Sequence, residues 1–257
     1  MCILFIAIEQ HPDYPVIICA NRDEFHQRPT QNIHWWPGQN ILAGKDLQAG
    51  GTWLGLNRQG YFSAITNFRR PAHFDSNKCS RGDLVLQALN QNATTTAQYL
   101  AQSAEQYNDF NLVFGPLNHL QAFDSVNKKF TSLTPGFHSV CNGALDDIWP
   151  KMALGLNSIE ALISANSIDI QALFDVMSNQ TTANTQDLPA TGISPALESL
   201  LSSIFIQSAD YGTRSTTLIL QATCGKVEVF DRNYDVDGTI VEQRKFQLSA
   251  TKPLTIQ

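Results

Sequence analysis

The sequence predicts an α+β layered sandwich. Strands come in hairpin runs, helices are grouped between those runs, and no strict strand–helix alternation of the parallel kind appears. Ile3 to Ile8 and Val16 to Ala20 are continuous apolar runs, which read as buried strands. His11-Pro12-Asp13-Tyr14-Pro15 between them is turn chemistry, so the two form an antiparallel hairpin. Residues 25 to 50, with Pro29 and Pro37, read as irregular. Trp53 to Asn57 and Tyr61 to Phe68 flank Arg58-Gln59-Gly60 as a second hairpin, and a polar loop follows from Arg69 to Arg81.

Leu84, Val85, Ala88 and Leu89 recur at helical spacing, and Ala97, Leu100 and Ala101 continue it on a second helix. Asn111 to Phe114, His119 to Val126 and Ser139 to Cys141 read as strands. Helices are expected over Asp147 to Ala165, with Pro150 near the first turn, over Ile170 to Met177, and from Pro195 through Ile204. Strands at Thr216 to Ala222, Val227 to Asp231 and Thr239 to Phe246 close the chain. No linker interrupts the pattern, so one domain over residues 1–257 is expected.

Composition narrows the function classes. With 257 residues and 43% hydrophobic content the chain can bury a large core without staples. The net charge of −6 and the scattered basic residues leave no footprint for nucleic acid. Five cysteines, an odd number with no metal-ligand spacing, argue against a structural metal and for a reducing, cytoplasmic location. The apolar start is short, lacks a basic lead-in and ends at Glu9, so neither a signal peptide nor membrane insertion is expected.

Two features carry chemistry. Cys2 is either a core cysteine of a buried strand or, once Met1 is removed, an N-terminal nucleophile whose own α-amine acts as base. Asn21-Arg22-Asp23-Glu24 closes the second apolar strand; it is either a solvated turn or a partnered polar cluster. The hairpin places that cluster beside Cys2, where a carboxylate can hold an ammonium and Arg22 can bind an anion.

Cys2, Asn21-Arg22-Asp23-Glu24, Arg28-Pro29, Gly50 to Gly55, Thr66-Asn67-Phe68-Arg69, Asn142-Gly143, Trp149-Pro150-Lys151 and Tyr211 to Thr216 resemble, in order, the NRDE family, also called the transport-and-Golgi-organisation family. More distantly they resemble the bile-salt hydrolase and penicillin V acylase group of N-terminal-nucleophile hydrolases. The resemblance implies a four-layer αββα sandwich. From the enzyme group it implies Cys2 as nucleophile, Asp23 holding its amine, Asn67 and Asn142 as oxyanion donors, and Arg214 near the nucleophile. The enzyme group's arginine after strand two falls on or beside Asn21, one step from Arg22.

Two functions follow as expectations. The NRDE resemblance implies haem binding and trafficking, with haem donor or acceptor proteins as partners. The enzyme resemblance implies cleavage of a non-peptide C–N amide. For a haem slot the candidate residues are Asn21, Arg22, Glu24, Trp35, Trp36, Phe68, Arg69, Arg70 and His73, with Arg28 and Phe74 beside them. Cys2, His34 and His73 are the candidate axial ligands. His34-Trp35-Trp36 and His73-Phe74 are otherwise loop anchors or core.

Overall fold

A computed structural model describes residues 2–164 and 167–249. Among these residues, thirteen strands form two antiparallel sheets. In the first, β1 (Cys2–Ile8) and β2 (Val16–Phe25) form the expected hairpin, with Leu4 opposite Ala20 and Cys2 opposite Arg22. Against β2 lies β11 (Tyr211–Gln221), followed by β12 (Lys226–Tyr234) and β13 (Ile240–Ser249), while β10 (Gly136–Val140) flanks β1. The second sheet is a meander in chain order: β3 (Thr30–Trp35), β4 (Ile41–Asp46), β5 (Leu54–Asn57), β6 (Tyr61–Asn67), β7 (Phe110–Pro116), β8 (Gln121–Asp124) and β9 (Lys129–Ser132).

Strand alternation divides the core into layers. Leu4, Ile6, Ile18 and Ala20 point toward the second sheet, where they meet Leu42, Leu54, Leu56, Phe62 and Val113. Ile3, Phe5, Ile17 and Cys19 point the other way, onto α3 (Pro150–Ile163) and α4 (Ile170–Met177). The outer face of the second sheet is covered by α1 (Gly82–Asn90) through Leu84, Val85, Ala88 and Leu89, and by Leu100 of α2 (Ala93–Ser103). A short α5 (Pro195–Leu200) precedes β11. The order helix, sheet, sheet, helix is the αββα sandwich.

The structure corrects several element boundaries. Residues 25–50 are not irregular: β3 and β4 occupy much of the stretch, with their register shifted between Gln31 and His34. Such an irregular ladder hides the period-two pattern that marks a strand. The short, largely exposed β9 escapes for lack of an apolar face. Helix α3 starts at Pro150, and the expected helix end at Ala165 lies outside the described residues. The helix after Pro195 stops at Leu200.

Candidate functional site

The two sheets part at the end where β1 begins and β2 finishes. There the inter-sheet face that carries Leu4 and Ala20 deeper in the core carries Cys2 and Arg22 instead. A cavity of about 460 Å³ opens at this end. Cys2, Arg22, Asp23 and Glu24 line it from the hairpin; Asn67 lines it from the end of β6, and Arg214 from β11. The loop Ala49 to Leu54 and the segment Phe74 to Gly82 contribute the second sheet's side, including Trp53 and Arg81.

The ladder explains each placement. Arg22 pairs with Ser215 across β2 and β11, and Asp23 with Thr213; the register slips between them, leaving Arg214 as the extra residue. A bulge re-aims the side chain it displaces. Arg214 donates from Nη1 to the carbonyls of Phe25 (3.0 Å) and His26 (3.1 Å) and borders the cavity. Burial and the neighbouring charge of Arg22 lower the Arg214 pKa. Asp23 is buried, and its Oδ1 accepts from the Thr213 hydroxyl at 2.7 Å. Burial raises its pKa, opposed in part by Lys151, whose buried Nζ donates to the Leu201 carbonyl. Burial likewise pushes the Cys2 thiol up to about 11, so the thiol is protonated at neutral pH.

Asn67 and Asn142 are joined but not equivalent. The Asn67 side-chain amide faces the cavity and makes no hydrogen bond to the described residues. Asn142 is buried behind it and spends its Nδ2 on the Asn67 carbonyl at 2.9 Å. Its Oδ1 accepts from Arg69 and from the Cys141 thiol. Thus four of the five residues matched to the enzyme group line one cavity, and the fifth supports one of them.

The remaining candidates divide sharply. Arg22, Glu24, Arg28 and Phe74 line the cavity. Asn21 faces the helices: its Nδ2 donates to the carbonyls of Met177 and Ile204 and its Oδ1 accepts from Thr216. Trp36 is buried under α1 and donates to the Ala43 carbonyl, while Arg58 covers Trp35. Arg69 is buried against Glu198, and Arg70 pairs with Asp109 and contacts His73. Trp35, Trp36, Phe68, Arg69, Arg70, His34 and His73 are not among the residues lining the cavity.

Arg81 and Lys151 escaped the sequence reading as site residues. Arg81 closes a polar loop, where charges are commonplace; the signal lay in the adjoining Gly82, whose close approach to the Gly51-Thr52 loop fixes its position. Among the described residues no cluster of three or more His, Cys, Asp or Glu stands ready to hold a metal ion. No helix among them is long and apolar enough to cross a membrane.

Two facing antiparallel sheets between helical layers, with a cysteine at the head of β1 facing the cleft, define the N-terminal-nucleophile hydrolase fold. Consistent with that class, a conjugated bile acid hydrolase mutant (C2A) from Clostridium perfringens superposes with a TM-score of 0.50 at 10% identity, covering 98% of each chain. An N-acylethanolamine-hydrolyzing acid amidase ortholog from Caenorhabditis elegans aligns over 85% of this chain and 92% of its own, at 9% identity and a TM-score of 0.42. The sequence model of the Transport and Golgi organisation 2 family matches residues 1–236, and the chain belongs to that family. The Transport and Golgi organization protein 2 homolog of Homo sapiens is 30% identical, the alignment covering 97% of this chain and 99% of that one. Its Bos taurus counterpart is 29% identical over 91% and 93%.

Proposed function

We propose that the chain binds and hands over an amphipathic organic acid in the Cys2 cleft, and that haem is this cargo. The observation that carries the reading is the cleft's composition. Arg22, Arg81 and Arg214 line a space together with Ile33, Trp53, Leu54 and Val241, and the carboxylates of Glu24 and Asp46 there are engaged by Arg22 and Arg28. An apolar slot with a cationic border suits a flat apolar ring bearing carboxylates. While Met1 is attached the Cys2 nitrogen is an amide with no free amine to take the thiol proton, which supports holding a ligand rather than attacking one. Among the described residues Cys2 and Cys79 are the sulfur-bearing residues along the cavity and no histidine lines it, so propionate contacts supply most of the hold.

Titrating haem into the purified chain then shifts the Soret band saturably at one haem per chain, with Kd on the order of micromolar, as release to an acceptor requires. A titration that never saturates, or that matches an unrelated acidic protein, removes haem as the cargo.

A second reading, amide hydrolysis, is favoured by one observation: Cys2, Asp23, Asn67 and Arg214 share the cavity, with the Asn67 amide unspent. It requires loss of Met1. The freed α-amine would take the thiol proton while sulfur attacks the amide carbon. Asn67 would hold the oxyanion; the amine would leave with the proton, and water would cleave the thioester to the acid. Alkylation separates the readings. In chain retaining Met1, the exposed Cys79 and Cys224 label before Cys2. In chain lacking it, the hydrolase reading requires Cys2 to label first.

A further inference from the structure

Among the described residues, six cationic side chains line the cleft, Arg22, Arg28, Lys45, Lys78, Arg81 and Arg214, against five carboxylates, Asp23, Glu24, Asp46, Asp75 and Asp231. Asp46 holds Arg28, with Nη2 at 2.6 Å, and Glu24 stands between Arg28 at 3.8 Å and Arg22 at 3.7 Å. Asp23 accepts from the Thr213 hydroxyl. Asp75 caps its own turn at Asn77, and Asp231 sits on β12, three strands from Cys2 in the sheet order. Of the other lining cations, Lys45 lies over the Trp36 ring and Lys78 donates to the Tyr107 carbonyl, and Arg214 and Arg81 likewise form no ion pair among the described residues. Each gives its hydrogen bonds to main-chain carbonyls, Arg81 to Asp109 at 3.1 Å.

Arg81 is the more unusual of the two. It lines the cavity from the segment just before α1, yet it is half-buried, and that burial lowers its pKa against the pull of the Glu24 and Asp109 carboxylates. A guanidinium withdrawn even in part from water without a direct ion pair is costly unless an anion arrives. Its position is also built in. A Cβ at Gly51 would come within 2.8 Å of the Gly82 carbonyl carbon, and one at Gly82 within 3.0 Å of the Thr52 oxygen. Two glycines thus let the loop before β5 and the start of α1 touch backbone to backbone, which fixes Arg81 on the second sheet's side of the cavity. Arg22 and Arg214 lie on the first sheet's side.

We infer that Arg81 anchors the carboxylate of the ligand that enters this cleft, with Arg22 and Arg214 facing it across the cavity. The planar fork of arginine suits a carboxylate, and the surrounding low dielectric strengthens the contact. The inference rests on the reading that the cleft binds an organic acid, and it names the residue and the chemical group.

The test uses the full chain and two acid–ester pairs: haem with its dimethyl ester, and decanoate with its methyl ester. Wild type, Arg81→Met, Arg81→Lys and the distant Lys129→Met are titrated with each, after circular dichroism confirms folding. Arg81→Gln, which keeps a donor for the Asp109 carbonyl, replaces Arg81→Met should that variant not fold. Arg81→Met is expected to weaken both acids about tenfold or more, as loss of a charge-assisted bidentate contact does, and to leave the esters unchanged. Arg81→Lys recovers part of the loss, and Lys129→Met matches wild type. Binding of decanoate but not haem, with the same Arg81 dependence, sinks the haem cargo and upholds the anchor. Equal loss of acid and ester, unchanged acid binding in Arg81→Met, or no binding of either acid by wild type overturns the inference.

Discussion

Arg69 and Arg81 stand on either side of the same polar loop, Arg69 buried and Arg81 half-buried, and their surroundings differ. Arg69 meets a full set of partners: Glu198 in an ion pair, the Asn142 amide oxygen at 3.3 Å and the Trp149 ring at 5.0 Å. Glu198 in turn accepts from the Thr191 backbone and hydroxyl. Arg81 meets a cavity and a carbonyl. The first arginine ties the loop after β6 to α5 and props Asn67 through Asn142. The second is held ready for something from outside. Charge and burial alone do not mark a binding residue; an incomplete partner list does.

Removing Arg69 should produce the largest effect on stability. Arg69→Ala leaves buried Glu198 without its ion-pair partner, which typically costs about 3–5 kcal/mol. Urea denaturation should show that loss, whereas Arg214→Ala should fall within about 1 kcal/mol of wild type, because it breaks no ion pair and relieves repulsion from Arg22. Comparable losses for the two would erase the distinction between a propping and a waiting arginine.

Gly51→Ala probes the backbone contact behind Arg81. Its Cβ would meet Gly82 backbone at 2.8 Å, so overpacking should cost about 1–3 kcal/mol and weaken ligand binding with it. A variant as stable as wild type, with unchanged binding, would show that the two segments separate freely.

A smaller effect is expected at Asp231, on the cavity wall away from Cys2. It accepts from Thr217 and Asn233 at 2.7 Å each, and burial raises its pKa from 3.8 to about 7. The folded chain therefore keeps a proton there that the unfolded chain releases, so this group's contribution to stability falls as pH rises from about 4 to about 7. Asp231→Asn removes that dependence. Relative to wild type, the variant should gain stability between pH 4.5 and pH 7.5, values chosen to bracket most of the window. A constant difference at both pH values would mean that Asp231 is ionised throughout.

The hairpin and the cluster beside Cys2 were legible in the sequence because they depend on local order. Two apolar runs joined by a turn fix the β1–β2 register, and alternation then decides that Arg22 faces the cleft while Asn21 faces the helices. The division among the arginines was not legible. Arg69 and Glu198 are 129 residues apart, so nothing near Arg69 announces its partner. Trp35 and Trp36 were drawn toward the site by their aromatic character, but β3 and β4 carry them into packing with Arg58 and α1. Arg81 was passed over because its significance lies in a contact between two glycines distant in the chain.

The most direct test of the cleft as the ligand site is amide hydrogen–deuterium exchange with and without saturating haem. The loops that border the cavity, residues 47–53 and 75–82, should exchange more slowly with haem bound, while residues 191–202 around Glu198 should not change. Protection confined to residues 191–202, or to residues 34–40 around the tryptophan pair, would contradict the account and place the ligand elsewhere.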